Sequence, residues 1–255
     1  MSSLKTCTRW RPKAGNADAE YEDAFCTSKR ADKNGRVAFA IADGATETLL
    51  SRQWAHLLVK RFARAWQRPE DWNAWLAQTL RAWDNEKRAY MQSRARNNKP
   101  IQWYEEPGLE AGAFAALLGI VVERTPRGLT WRAAALGDCC LVQVRAENVL
   151  CAFPISQADG FNNRPLLLSS HPAKNKNVAD HLVFAQGAFQ EGDRMYLMTD
   201  ALAAWFLRAQ EAGAQPWNEL DAFLNFDAFA AWVTEKRAAH AMRNDDVTLM
   251  RLIWN

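Results

Sequence analysis

The chain has almost no net charge. Its 32 basic and 29 acidic residues leave +3 over 255 positions, which gives no electrostatic footprint for a nucleic-acid partner. Arg61, Arg64 and Arg68 fall on one face of a predicted helix and read as a solvated face. No uninterrupted apolar run is long enough to span a bilayer. The amino-terminal MSSLKTCTRWRPK lacks the apolar h-region of a signal peptide. A cytoplasmic protein with no membrane partner is therefore expected. The five cysteines are odd in number and have no C-x-x-C spacing, which favours reduced thiols over a structural zinc site. His56, His171, His181 and His240 share no metal-ligand spacing. No internal repeat or low-complexity tract occurs, and a hydrophobic fraction of 49% excludes disorder.

What the chain has in excess is tryptophan, twelve in all. Most recur at helical spacing, which favours core packing over base stacking. Residues 45–67 carry Leu50, Trp54, Leu57, Leu58, Phe62, Ala65 and Trp66 at three- and four-residue steps, the stripe of an amphipathic helix. Pro69 suits the first turn of a second helix. That helix has Trp72, Trp75, Leu76, Thr79, Leu80 and Trp83 on one face and runs to about Tyr90. Such a pair would cover one face of a sheet. Residues 92–107 read as a connecting loop with Trp103 and Tyr104 tucked back onto the body. Residues 201–212 and most of 219–242 read as further helices.

Strand signals fill the rest. Residues 112–123 are almost wholly apolar, as expected of a strand buried on both faces. Residues 129–136 alternate, and 140–145 and 149–153 follow with no helix between, which predicts an antiparallel meander. Asp32-Lys33-Asn34-Gly35 is a hairpin signal that pairs the strand after Glu22-Asp23 with residues 37–42. Residues 1–20 read as an edge strand or loop and 154–177 as loop. Residues 181–185, 194–199 and 247–253 read as strands. The expectation is one domain, 1–255, of β-meanders with helices outside.

The chemistry centres on VAFAIADGATE at 37–47, a buried strand ending in Asp43-Gly44. An acidic residue there, followed by glycine, can present a carboxylate and a backbone carbonyl to one point, ligation that suits Mg²⁺ or Mn²⁺. Asp-Gly is equally a common turn dipeptide. The same design recurs at Asp200 after RMYLMT, at Asp245 before DVTLMRLI, and at Glu22-Asp23 before AFCT. Asp138 lies between two strands. One strand-end aspartate is ordinarily a cap or turn residue. Several that converge repel one another unless a cation neutralises them. Two oxygen-ligated metals about 3.5–4 Å apart would do so and would suit attack of water on phosphorus.

Taken in order, EDAF at 22–25, FAIADGATE at 39–47, GAFAALLG at 112–119, ALGDCCLVQVR at 135–145, YLMTDAL at 196–202 and NDDVTLM at 244–250 resemble the metal-dependent protein phosphatase family, the type 2C or PPM serine/threonine phosphatases. The likeness is nearest to small bacterial single-domain members. It implies an α+β fold, a four-layer αββα sandwich of two antiparallel sheets packed face to face with helices on both outer faces. It also implies two Mn²⁺ or Mg²⁺ ions. Asp43 would bridge both, the Gly44 carbonyl would bind one, and Asp200 and Asp245 would hold the other. Asp43, Asp200 and Asp245 are thus the implied catalytic set. Glu22 and Asp23 would hold metal-bound waters, and Asp138 marks a third, weaker site. Phosphoserine or phosphothreonine in a protein would be hydrolysed by direct attack of a metal-bridging water, without a phospho-enzyme. A cytoplasmic monomer opposing a serine/threonine kinase is the implied setting.

The chain departs from the family pattern in several places. Ala201 stands where glycine is usual, and Ala204 where an acid is common. Cys139 replaces serine, Asp246 replaces asparagine, and Ala45-Thr46-Glu47 replaces a glycine pair. Asp18 occupies the position of a phosphate-gripping arginine, for which Arg9 and Arg11 are substitutes only by proximity in sequence. A catalytically weak domain that binds phosphoproteins or a kinase is the alternative these changes motivate. A two-metal nuclease of another fold is a third, opposed by the near-neutral charge. The loops at 92–107 and 154–177 are where substrate selection is expected.

Overall fold

The computed structural model describes residues 4–28, 31–32, 35–46, 48–65, 72–126, 128–161 and 165–254. Its strands are β1 (Leu4–Arg11), β2 (Ala24–Thr27), β3 (Arg36–Gly44), β4 (Phe114–Thr125), β5 (Gly128–Leu136), β6 (Cys140–Arg145), β7 (Asn148–Phe153), β8 (Leu168–Ser169), β9 (Val183–Phe189), β10 (Arg194–Met198) and β11 (Val247–Trp254). Its helices are α1 (Ser51–Ala65), α2 (Trp72–Arg96), α3 (Glu106–Ala111), α4 (Val178–His181), α5 (Asp200–Glu211), α6 (Pro216–Asp221) and α7 (Phe226–Ala238). One sheet has the order β1-β11-β10-β6-β7. The other runs β2-β3-β4-β5-β9, with β8 beside β4. Every pairing is antiparallel.

Alternation along the strands sets the layers. Phe39 and Ile41 of β3 join Leu118 and Ile120 of β4, Leu197 of β10 and Met250 of β11 in a core between the sheets. The residues between them face outward. Ala40 and Ala42 of β3 and Leu117 and Val121 of β4 pack against Trp54, Leu58 and Phe62 of α1 and the tryptophans of α2. On the far side, Val142, Tyr196 and Leu249 pack against α5, α6 and α7. The order helix, sheet, sheet, helix is the expected four-layer sandwich. Small residues let α1 sit close. A Cβ on Gly119 would stand 2.1 Å from the Phe62 ring, so the ring fills the space a side chain would need. Nine of the eleven tryptophans among the described residues are buried, which fits core packing.

Several boundaries differ from the sequence reading. Helix α1 begins at Ser51 rather than Ala45. Ala45 instead donates its amide to the Phe114 carbonyl (2.9 Å), prolonging the sheet. Leu50 then takes a left-handed φ of +67°, which an α-helix cannot include. Strand β3 runs through Asp43 and Gly44, opposite Ala116 and Ala115, so these two are strand residues and not a turn. Helix α2 continues to Arg96, five residues into the expected loop's span, and α3 takes up the end of that span. Trp103 and Tyr104 are not tucked in. They are 81% and 65% exposed and meet each other edge to face. The meander is two hairpins in two sheets, because the chain crosses from one sheet to the other at Gly137-Asp138. Residues 219–242 are broken after Asp221, and the Asn225 side chain caps the new helix by accepting the Ala228 amide at 2.8 Å. Trp66, Gln67, Arg68 and Pro69, with Lys33 and Asn34 of the hairpin signal, lie outside the described residues.

Candidate active site

Strand register brings the acids together. Ala24 pairs with Ala42, so Asp23 and Asp43, one residue beyond each, lie at the same end of neighbouring strands. Met198 pairs with both Cys140 and Leu249. Asp200 and Asp138 therefore flank that same end of the second sheet, with Asp245 and Asp246 just ahead of β11. The two sheets are tied there by the Thr248 hydroxyl, which donates to Asp23 Oδ2 at 2.6 Å, while within its own sheet the Thr248 amide donates to Thr199 Oγ1 at 2.9 Å.

The electrostatics are those of crowded like charges, of which Asp23, Asp138, Asp200 and Asp246 are buried. Burial, then the charges of Asp23, Asp200, Asp138 and Asp245, holds the Asp43 carboxyl well above the usual carboxylate range. Asp23 is fully buried and is pushed up by that burial and by Asp246. Asp138 rises to about 7, through burial and then Asp200. Burial also raises Asp200, although Arg243 pulls against it. Asp23 Oδ1 and Asp200 Oδ1 are buried without a hydrogen-bond partner. Buried carboxylate oxygens left unpaired are costly, and hard cations are the partners that oxygen donors of this kind accept.

Each expected site residue can be placed. Asp23, Asp43, Asp138, Asp200 and Asp245 all enter the shared field around Asp43. Glu22 stands beside it, its Oε1 accepting the Ser51 hydroxyl at 2.5 Å. Gly44 lies against the same segment, where a Cβ would stand 2.8 Å from the Glu22 carbonyl oxygen and 3.1 Å from the Ser51 carbonyl. As they stand, no three His, Cys, Asp or Glu side chains among the described residues are grouped to hold a metal ion. The Arg243 guanidinium lies across Asp200 Oδ2 and, at 3.1 Å, Asp245 Oδ2. The donor chemistry, the buried oxygens and the crowding of acids nevertheless fit hard divalent ions.

Sequence reasoning missed four parts of this arrangement. Arg243, two residues before Asp245, is the basic side chain that touches the acids. Asp246 carries no implied metal role; its Oδ1 accepts the Lys13 amide at 2.8 Å and its Oδ2 the Glu22 amide at 2.6 Å. Ser51 orients Glu22. Cys139 is buried beside the cluster, its thiol pushed up by burial and by Asp43. Arg9 does not reach them; its Nη1 donates to the Thr8 carbonyl at 3.1 Å.

The model of the protein phosphatase 2C family matches residues 16–244. The chain belongs to this family. As a protein phosphatase 2C it shares its fold with solved bacterial structures at low identity. The S. agalactiae serine/threonine phosphatase aligns with a TM-score of 0.60 at 12% identity over 98% of this chain and 99% of that one. The Mycobacterium tuberculosis serine/threonine phosphatase PstP/Ppp aligns at 0.55 and 16%, covering 98% of both chains. PppA of Pseudomonas aeruginosa, described as a key regulatory component of T6SS, aligns at 0.53 and 17% over the whole of both chains. Comparison with curated proteins by sequence gives no match. Membership supports a phosphatase function for this protein phosphatase 2C. No helix among the described residues is long and apolar enough to cross a membrane.

Proposed function

We propose that the chain is a Mn²⁺- or Mg²⁺-dependent phosphoprotein phosphatase that hydrolyses phosphoserine and phosphothreonine. One observation carries this reading. Five aspartates from distant parts of the chain, Asp23, Asp43, Asp138, Asp200 and Asp245, are gathered at one end of the sandwich in a mutually repelling field. Such an arrangement is costly in a resting protein and useful in one that takes up cations. A solved relative, the catalytic domain of PstP, is described in complex with two manganese ions.

In this reading Asp43, the Gly44 carbonyl, Asp200 and Asp245 hold two ions, and Asp138 marks a weaker third position. Bound there, the ions supply Lewis acidity toward the phosphoryl oxygens and a low pKa for water, the chemistry of direct phosphoester hydrolysis. The chain's own residues arrange the surroundings. Ser51 fixes the Glu22 carboxylate and Thr248 fixes that of Asp23, so both acids are oriented to accept hydrogen bonds from ordered water. Asp246 pins the backbone at Lys13 and Glu22, which holds the first acidic pair against the second sheet. The protein is proposed to act as a single-domain cytoplasmic monomer opposing a serine/threonine kinase.

The test is Asp43→Asn, assayed for Mn²⁺-dependent hydrolysis of an aryl phosphate. A fall greater than the roughly 10–100-fold typical of outer-shell partners is expected, and unchanged turnover would sink the reading. A phosphoprotein-binding domain with little or no catalysis is the alternative. It is favoured by the Arg243 guanidinium lying across Asp200 and Asp245 and by Ala201 and Ala204. Failure to bind Mn²⁺ at millimolar concentration would decide for it.

A further inference from the structure

We propose that Arg243 is a tethered cation that occupies the Asp200–Asp245 pair in the metal-free chain and has to be displaced before a divalent ion can bind there. This rests on the reading of Asp200 and Asp245 as metal ligands.

Three observations converge. The guanidinium Nη2 touches both carboxylates, Asp200 Oδ2 closely and Asp245 Oδ2 at 3.1 Å, so one nitrogen stands where a shared cation would. Asp200 is a buried acid with its other oxygen, Oδ1, unpartnered, so the arginine satisfies only half of that carboxylate. Finally, Arg243 is free to leave. It sits in the short segment between α7 and β11, its side chain is 47% exposed, and it lies at the rim of a surface pocket of about 140 Å³ lined partly by Ala201, Ala204 and Met242.

The physical consequence is competition. A guanidinium hydrogen-bonded to two carboxylates lowers the free energy of the metal-free state. Anything that binds those carboxylates has to overcome that stabilisation, and the coupling is reciprocal. Removing the charge should therefore do two opposite things. It should destabilise the metal-free chain, which is left with repelling acids, and it should tighten metal binding. Charge-assisted hydrogen bonds of this kind correspond to an affinity change of about ten- to a hundredfold. The arrangement would set a threshold of metal concentration below which the site stays closed by its own side chain.

The experiment is calorimetric titration with Mn²⁺ at low ionic strength on the full chain, comparing wild type with Arg243→Gln and Arg243→Met, together with thermal melts in a chelator. Arg208→Gln, which changes a basic residue on the same pocket, is the control. The expected result is about ten- to a hundredfold tighter Mn²⁺ binding in both Arg243 variants, a lower chelator-state melting temperature, and a shift of less than about threefold in the control. Equal or weaker Mn²⁺ binding by the Arg243 variants overturns the proposal while leaving the metal centre standing. An unchanged or higher melting temperature without metal overturns it as well. Binding of Mn²⁺ by none of the proteins overturns the metal centre and this proposal together.

Discussion

Thr248 and Asp23 are 225 residues apart, and the threonine hydroxyl donates to the aspartate Oδ2 at 2.6 Å from one sheet to the other. Having one proton, the hydroxyl then accepts from Tyr21, whose hydroxyl contacts the same oxygen. All three residues are buried. Thr248→Val keeps the shape and strips both interactions, leaving a buried carboxylate and a buried phenol short of a partner. A loss of about 1–3 kcal/mol is expected, read as a lower midpoint in urea with an unchanged slope. Thr248→Ser retains the hydroxyl and should recover most of it. A valine variant as stable as wild type would show that the bond does not hold the sheets.

Gly44 is required for space, not for φ. A Cβ there would lie 2.8 Å from the Glu22 carbonyl oxygen and 3.1 Å from the Ser51 carbonyl carbon and oxygen. Both neighbours are backbone, so neither can rotate away. Gly44→Ala should cost about 1–3 kcal/mol by overpacking. By prising Glu22 from Ser51 it should also weaken Mn²⁺ binding. Gly108, in α3, is the contrast, since its Cβ would meet only the Leu49 side chain, at 3.4 Å. Gly108→Ala should be neutral or stabilising by about 0.4–1 kcal/mol. If calorimetry and melting place the two substitutions at equal cost, the crowding argument fails.

Away from the site, Asp193 gives a pH-dependent contribution of known sign. Its burial pushes the carboxyl up, but Arg145 at 2.6 and 2.8 Å, the Gln190 amide at 2.8 Å and the Gln143 amide at 2.8 Å outweigh that. The net pKa lies below its ordinary value of 3.8. Folding thus favours the ionised form. The stabilisation is complete above about pH 5 and is lost as pH falls through the lowered folded value. Asp193→Asn should be less stable than wild type at pH 6, by about 2 kcal/mol. It should also lose stability less steeply between pH 4 and pH 2.5. Parallel acid limbs in the two proteins would contradict this.

The sequence disclosed the layers better than the connections. Alternation in residues 129–136 and the apolar run at 37–42 marked strands, because a strand's period and its apolar character are local properties. The acids Asp23, Asp43, Asp138, Asp200 and Asp245 could be picked out for a similar reason, each marking a strand end. What could not be read depended on distant partners. Gly137-Asp138 looks like an interruption within one meander, yet it is where the chain changes sheet, and only the pairing of β6 with β10 reveals this. Helix periodicity in residues 45–50 was overridden by the Ala45 amide bonding to Phe114. Trp103 and Tyr104 show the same limit, since aromatic character gave no information on whether a surface was available to receive them. Arg243 was passed over because a basic residue beside Asp245 is unremarkable until Asp200 is known to lie against it.

Asp246 is where resemblance and structure predict different outcomes. The family pattern has asparagine there, so Asp246→Asn looks like a harmless return to the usual residue. The geometry argues otherwise. Both oxygens of Asp246 accept backbone amides, Oδ1 from Lys13 at 2.8 Å and Oδ2 from Glu22 at 2.6 Å, and the residue is 5% exposed. An asparagine has one acceptor oxygen, and its NH₂ would face an N–H donor. One part-buried amide would be left without an acceptor and set against another donor. A cost of about 1–3 kcal/mol is expected, concentrated where Lys13 and Glu22 are pinned. Hydrogen exchange should therefore quicken in residues 12–22 more than in β4 or β10. Because Glu22 and Asp23 sit at the end of that segment, Mn²⁺ affinity should fall with it. Wild-type stability and unchanged exchange in Asp246→Asn would mean that this segment is held by something other than the two amide bonds.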